Sequence, residues 1–126
     1  MPRTDVRFFL DQRRCAPVLL WMDSAIRDDR ARAKLIALIG RLEERGHELR
    51  RPEADLLDRE VYELRVRFGK VNYRILYAFV GKNRAVLLHG CMKKAEVGLQ
   101  DIETAVNRLA QFKRDPDKHT YVEDEG

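Results

Sequence analysis

The chain has 126 residues, of which 44% are hydrophobic and 37% are charged, and this length suits one globular domain with its own core. Basic residues outnumber acidic ones by 24 to 16 in residues 1–114, whereas residues 115–126 hold five acids against Lys118. We therefore expect a single domain over 1–114 and an acidic, flexible tail over 115–126. A body with a formal charge of +8 favours polyanionic partners such as nucleic acid, through long-range attraction.

The sequence predicts neither a membrane span nor a metal site. No apolar stretch approaches the roughly 20 residues of a spanning helix, and the N-terminal segment lacks the apolar core of a signal peptide, so we expect a cytoplasmic protein. Cys15 and Cys91 lack the spacing of metal ligands, and we expect both to be reduced residues that pack in the interior. No cofactor is indicated.

The N-terminal part predicts one short strand followed by helices. Residues 6–10 are β-prone and precede a polar cluster, which suits a strand. Pro17 fits the first turn of a helix, because its missing N–H donor would have no partner there. Apolar residues then recur with helical spacing, which predicts two antiparallel helices or one helix broken near residues 26–27. Asp28 suits the start of the second helix and Gly46 its end.

The hydrophobic period then changes from that of a helix to that of a strand. Residues 47–60 are predicted to form a loop. Gly69 and Gly81 separate the three apolar runs that follow, which predicts a three-stranded antiparallel meander. In the first run apolar residues face the core, and the residues expected on the other face are Glu63, Arg65 and Arg67.

Arg74 is the unusual residue of the second run. Its face of that run is otherwise apolar, so the guanidinium must reach a sheet edge, an ion pair or a ligand. Two assignments follow from the residues alone. Arg74 contacts a phosphate group, or it pairs with Glu63 to hold the sheet together.

A terminal helix is predicted from Leu99, because apolar residues recur with helical spacing before the Asp-Pro-Asp of residues 115–117. The order of elements is therefore β-α-α-β-β-β-α, an α+β fold with a small antiparallel sheet packed on two N-terminal helices and a C-terminal helix. Helices on one face leave the other face of the sheet partly open, and we expect Arg65 and Arg67 there.

Residues 59–94 hold nine basic and only two acidic residues, a pattern suited to binding phosphate. RNA can be cleaved without a metal if side chains bind the phosphate, help to deprotonate the 2′-hydroxyl and protonate the leaving oxygen. Arginine matches phosphate with forked donors, histidine exchanges protons near neutral pH, and lysine neutralises developing charge. The candidate catalytic residues are Glu63, Arg65, Arg74, His89, Lys93 and Lys94. The candidate RNA contacts are Arg67, Lys70 and Arg84.

The same residues also have structural interpretations. A lone histidine in a strand, such as His89, is more often a hydrogen-bonded structural residue than a catalyst. Glu63 suits a surface ion pair with a neighbouring arginine, and Lys93 and Lys94 suit a solvated strand end. The functional interpretation is favoured because a meander can bring all these candidate residues together in one cleft beside the final helix.

The runs YELRVRF, NYRILY and VLLHGCMKK, followed by a helix with ETAVNR, resemble the phage-derived, HigB-like branch of the RelE/ParE toxin superfamily. The segment APVLLWMDSA resembles the same branch, and the likeness covers residues 5–114. It implies a small curved antiparallel sheet packed on N-terminal helices. It also implies an endoribonuclease that cuts messenger RNA on the ribosome, together with a cognate antitoxin that is often a helix-turn-helix protein.

The resemblance carries over to particular positions. It assigns Arg74 to the phosphate-stabilising arginine, Arg65 to a basic strand residue, and Lys93 or Lys94 to the basic residue after the last strand. Two positions depart from RelE. Glu63 stands where RelE has lysine, and no tyrosine follows Lys94 at the start of the last helix. These departures leave the acid–base role open to His89 or Glu63.

Two other functions stay open. ParE members share the fold but inhibit DNA gyrase without cutting RNA, and they lack a basic set like that of Arg65, Arg74, His89 and Lys93. A phage-derived remnant would keep the fold without any activity.

Overall fold

The structure, a computed structural model, describes residues 3–92 and 97–123. Over these residues the fold is α+β, as the sequence predicts: a five-stranded mixed sheet with three α-helices packed against it. The elements in chain order are β1 (Asp5–Phe8), α1 (Pro17–Ala25), α2 (Asp29–Arg45), a 3₁₀ turn (Gly46–Glu48), β2 (Ala54–Asp58), β3 (Val61–Phe68), β4 (Val71–Val80), β5 (Arg84–Met92) and α3 (Leu99–Arg114).

Local sequence determines where the helices begin and end. Pro17 is the first residue of α1. Asp28 caps α2 by accepting a hydrogen bond from the backbone N–H of Arg30 at 2.8 Å. Gly46 ends α2 with a φ of 53°, which glycine adopts without strain. The predicted helix pair is thus confirmed. In the described part of the chain, no helix has the length and apolar character needed to cross a membrane.

The strands lie in the order β1-β5-β4-β3-β2. β3, β4 and β5 form the predicted antiparallel meander. The prediction that the whole sheet is antiparallel was wrong, because β1 pairs with β5 in parallel. A parallel pair needs a long connection, and here all the elements from α1 to β4 provide it.

The prediction of a loop over residues 47–60 was also wrong in part, because β2 lies within it and pairs with β3 at the sheet edge. The strand contains Asp55 and Asp58, and Pro52 precedes it, so its local propensity favours a loop. Pairing with β3 supplies the backbone hydrogen bonds that stabilise the strand despite that propensity.

Helices pack on both faces of the sheet, whereas the sequence predicted helices on one face. The face beneath α1 and α2 includes the buried side chains of Leu64, Ile75, Tyr77 and Leu87. The face beneath α3 includes those of Leu76, Ala78, Val86 and Leu88. Coverage by α3 is partial, because Arg67 on its face stays exposed and Arg65 stays half-buried. This accessible part of the sheet is the region where the sequence placed both arginines.

The segment after α3 runs back along β1. The backbone N–H of Tyr121 donates to the carbonyl of Phe8 at 2.9 Å. His119 is buried, and its ring stacks on Phe9 with the centroids 5.3 Å apart. These contacts lie within residues 115–126, which the sequence analysis assigned to a flexible tail. The mobility of that segment stays a prediction.

Helix α1 approaches β5 closely enough to touch its backbone. The indole of Trp21 lies against Gly90, and a β-carbon added at Gly90 would lie 2.2 Å from the ring carbon Cε3, far inside van der Waals contact. Gly90 lies between His89 and Cys91 in β5. The contact therefore fixes the strand that carries both of these side chains.

We expect Gly90→Ala to lower the free energy of unfolding by about 1 to 3 kcal/mol, the usual cost of forcing extra volume into a packed contact. In a Trp21→Ala background the same change should cost less than about 0.5 kcal/mol, because the ring is gone and alanine suits a strand better than glycine. Urea unfolding of the four proteins measures this coupling. Equal costs in the two backgrounds would contradict the contact.

Candidate functional site

Two rows of side chains cross the sheet on the face that α3 partly covers. The first row holds Arg65 of β3, Arg74 of β4 and Cys91 of β5. The second row holds Glu63 of β3, Leu76 of β4 and His89 of β5. Residues that lie opposite one another in an antiparallel ladder have Cβ atoms about 4.5 to 5.5 Å apart. The meander therefore brings candidate residues from three strands into one small area.

Glu63 is a buried carboxylate held between two arginines. Its side chain is 4% exposed, Oε2 accepts a hydrogen bond from Nη1 of Arg74 at 3.3 Å, and Oε1 lies 3.6 Å from Nη1 of Arg65. A buried charge needs such partners, because they offset its lost hydration. The expected ion pair of Glu63 with a neighbouring arginine is present but buried, not at the surface, and the predicted alternative of a pair between Arg74 and Glu63 is also observed. Since both of its oxygens face guanidinium groups, the geometry favours the role of orienting arginines over the role of base.

Arg74 is also buried, with 7% of its side chain exposed, and Glu63 satisfies only part of its guanidinium. Its Nε atom is buried and has no hydrogen-bond partner within residues 3–92 and 97–123. A buried donor left without an acceptor costs about 1 to 3 kcal/mol. The Arg74 side chain lines a cleft of about 440 Å³, which we call the arginine cleft. Its other lining residues are Pro52, Glu53, Arg65, Arg67 and Asn72.

The arginine cleft keeps positive charge that its own acids do not neutralise. Glu53 forms an ion pair with Arg41 of α2, outside the cleft. Arg67 contacts the carbonyl of Gly69 through Nε at 3.4 Å, and a carbonyl carries no net charge. Since guanidinium groups donate in a fork that matches an oxyanion, the cleft suits a phosphate group.

His89 lies beside the cleft, held in position by two residues of α3. Its Nε2 lies 2.8 Å from Oδ1 of Asp101, and its Nδ1 lies 3.3 Å from Nη1 of Arg108. Because a guanidinium only donates, Nδ1 is the acceptor, and the neutral ring carries its proton on Nε2 and donates it to Asp101. Burial lowers the pKa of Arg108, although a guanidinium remains charged at neutral pH. Both ring nitrogens of His89 are thus engaged.

Cys91 completes a group of metal-capable donors with His89 and Asp101. One donor atom from each of the three lies within 4.8 Å of the others. Cys91 is buried, as predicted, whereas Cys15 is exposed, which contradicts its predicted packing role. Neither cysteine forms a disulfide. The spacing argument against a metal site considered positions along the chain, and it missed Asp101 because that residue comes from α3.

Not every predicted site residue lines the cleft. Arg67 does, and Lys70 lies in the exposed turn between β3 and β4 at the same end of the sheet. Arg84 lies at the other end of β5, where it forms an ion pair with β1. Lys93 and Lys94 lie outside the described residues. The roles of these residues in RNA binding or catalysis stay predictions.

Sequence reasoning missed Asp101 and Arg108. The sequence predicts α3 from its apolar residues alone, and those residues do not indicate which charged side chains of the helix face β5. Residues at positions i and i+7 lie on the same side of a helix, and Asp101 and Arg108 have this spacing. That spacing, in a helix that follows a strand carrying a histidine, was the signal available.

We expect Glu63→Gln to lower the free energy of unfolding by about 3 to 5 kcal/mol, because it leaves the buried charge of Arg74 without a counterion. The matched control is Glu103→Gln. Glu103 pairs with Arg59, and both side chains are about half exposed, so its loss should cost at most about 1 kcal/mol. Urea unfolding measures both, and equal small costs would contradict the role given to Glu63.

The family model described as phage-derived Gp49-like protein (DUF891) matches residues 25–110, which is more than half of the chain. No curated protein matches it. The matched segment contains the arginine cleft, the row of Glu63 and His89, and most of α3. The chain therefore belongs to the phage-derived Gp49-like family, a family of toxins from toxin–antitoxin systems.

Proposed function

We propose that this protein is an endoribonuclease toxin of the HigB-like branch of the RelE/ParE superfamily, which cuts messenger RNA on the ribosome without a metal. The observation that carries the proposal is the side chain of Arg74, which lines a cleft with two further arginines and whose buried Nε–H has no acceptor among residues 3–92 and 97–123. A phosphate oxygen of RNA supplies the acceptor. Membership of a toxin family supports the same function.

The proposed reaction is an attack within the RNA chain. The 2′-oxygen of one nucleotide bonds to the adjacent phosphorus, the bond from phosphorus to the 5′-oxygen of the next nucleotide breaks, and a 2′,3′-cyclic phosphate forms. One proton leaves the 2′-hydroxyl and one reaches the departing 5′-oxygen. Charge accumulates on the phosphate oxygens in the transition state, so donors already fixed in place accelerate the step.

Arg65 and Arg74 are the groups that stabilise this charge in the proposed mechanism. Glu63 acts as a positioning residue, because its two oxygens face one nitrogen of each guanidinium, while Nη2 of Arg65 contacts the carbonyl of Pro52 at 3.4 Å. One carboxylate neutralises only one of the two arginines, so the group of Glu63, Arg65 and Arg74 keeps a net positive charge. Glu63 itself is poorly placed as a base, since it is buried and faces both cations.

His89 is the residue proposed to move a proton. The hydrogen bonds to Asp101 and Arg108 fix its ring. It lies on the same face of the sheet as Arg74 and one row away, because its cross-strand partner Leu76 is two residues from Arg74 in β4. Lys93 and Lys94 are proposed, from their positions in the sequence alone, to add positive charge after β5.

An antitoxin is the proposed protein partner. The formal charge of +8 over residues 1–114 attracts acidic segments as well as RNA. We propose that a cognate antitoxin, expected to be a helix-turn-helix protein, places carboxylates over the arginine cleft and so competes directly with the RNA backbone.

The sharpest test is Arg74→Lys, measured as cleavage of messenger RNA on translating ribosomes by toxin freed of antitoxin. Lysine keeps a positive charge beside Glu63 but lacks Nε–H and the forked geometry. We expect the rate to fall about 100- to 1,000-fold, the scale of losing one preorganised donor in a transition state. Products of the unaltered protein should end in a 2′,3′-cyclic phosphate.

The matched control is Arg7→Lys, at another strand arginine paired with an aspartate. It should leave the rate unchanged. Absence of cleavage by the unaltered protein on both free and ribosome-bound RNA would refute the nuclease proposal, and inhibition of DNA supercoiling with intact RNA would identify a gyrase inhibitor instead. Cleavage by Arg74→Lys at the normal rate would remove Arg74 from the site.

A further inference from the structure

We propose that His89, Cys91 and Asp101 form a binding site for a borderline-soft divalent metal ion, with Zn²⁺ as the expected ligand. The three residues supply an imidazole nitrogen, a thiolate sulfur and a carboxylate oxygen. Three protein ligands leave one position of a tetrahedral zinc ion open. The proposal concerns binding, and it stands whether or not the protein cuts RNA.

The fold brings these donors together from two elements. His89 and Cys91 are two residues apart in β5, so their side chains lie on the same face of the sheet. Asp101 lies in the first turn of α3, and its carboxylate is within 2.8 Å of the imidazole. The three donor atoms lie within 4.8 Å of one another. Zinc bonds of about 2.0 to 2.3 Å at tetrahedral angles place two donors about 3.3 to 3.6 Å apart, so the most separated donor atoms must move together by about 1 Å.

The donor set selects among metals. Thiolate and imidazole suit zinc and related transition metals, whereas Mg²⁺ and Ca²⁺ prefer oxygen donors alone. The thiolate and carboxylate together balance the charge of a divalent ion. His89 and Asp101 are 21% and 16% exposed and Cys91 is buried, so the group is shielded but reachable from one side.

Arg108 opposes the metal in a way that can be measured. Zinc at Nε2 requires the ring proton to leave that nitrogen, and in a neutral ligand it moves to Nδ1. Nδ1 lies 3.3 Å from Nη1 of Arg108, a donor that also contacts the carbonyl of Leu88 at 2.8 Å, so a proton on Nδ1 would face another donor. A glutamine at position 108 offers a carbonyl oxygen to that N–H, which is the usual support of a zinc-bound histidine. Arg108→Gln should therefore tighten binding by about tenfold.

Binding has a consequence that rests on the proposed function. With a metal ion on Nε2 and the ring proton on Nδ1, the imidazole of His89 has no lone pair left to accept a proton. RNA cleavage should then be inhibited by Zn²⁺ and restored by a chelator. The ion would act as an inhibitor, and the proposed cleavage reaction itself uses none.

The experiment titrates the purified full chain, freed of antitoxin, with Co²⁺ as a spectroscopic probe. We expect one ion per chain, tetrahedral visible bands, a near-ultraviolet thiolate-to-cobalt band, and loss of all of these on addition of Zn²⁺. Cys91→Ser should remove the thiolate band, and both it and Asp101→Asn should weaken binding about tenfold or more. Cys15→Ser, at the exposed cysteine, is the control and should change nothing.

A second measurement uses the unaltered protein, so it does not depend on whether the variants fold. Zn²⁺ should protect Cys91 from alkylation by iodoacetamide under conditions where Cys15 still reacts. The absence of a thiolate-to-cobalt band, or its loss in Cys15→Ser but not in Cys91→Ser, would overturn the proposal. If the metal-free protein does not cut RNA but still binds cobalt, the proposed function is refuted and the metal site stands.

Discussion

The carboxylate of Glu63, buried between Arg65 and Arg74, is the interaction on which the site depends. A guanidinium on a largely apolar face of a sheet is costly alone, because it loses its hydration. One acid between two arginines offsets that cost and still leaves positive charge. A second acid between Arg65 and Arg74 would neutralise this pair of arginines and make it an ordinary ion-pair network. The remaining charge suits the cleft to an oxyanion, as does the Nε–H of Arg74, which has no acceptor in the described part of the chain.

The sheet joins this charge to a second chemical group through β5. α1 presses Trp21 onto the backbone of β5 from one side, and α3 approaches the same strand from the other. α3 both covers apolar residues and supplies Asp101 and Arg108 to the imidazole of His89. The strand is thus fixed from both faces, so the cleft and the histidine keep a constant relative position. Rigid placement of this kind is what electrostatic stabilisation of a transition state requires.

Much of the fold was predictable because its signals are local. Pro17, Asp28 and Gly46 mark helix ends, and the alternation in β3 and β4 gave both the meander and the shared face of Arg65 and Arg74. The prediction failed where a distant partner decides the outcome: β2 forms because β3 pairs with it, and β1 is parallel because it pairs with the last strand. The same limit applies to the site. The burial of Glu63 and the contact of His89 with α3 depend on how the sheet and helices pack.

The central claim is that the Nε–H of Arg74 donates to an RNA phosphate. Nuclear magnetic resonance of the arginine Nε–H groups tests it directly, with an oligonucleotide whose 2′-deoxy substitution at the cleavage position prevents reaction. The account predicts that the Arg74 Nε–H signal moves downfield and exchanges more slowly with solvent when the oligonucleotide binds, as expected of a donor that gains a charged acceptor. Binding that shifts other arginine signals and leaves Arg74 unchanged would contradict the account.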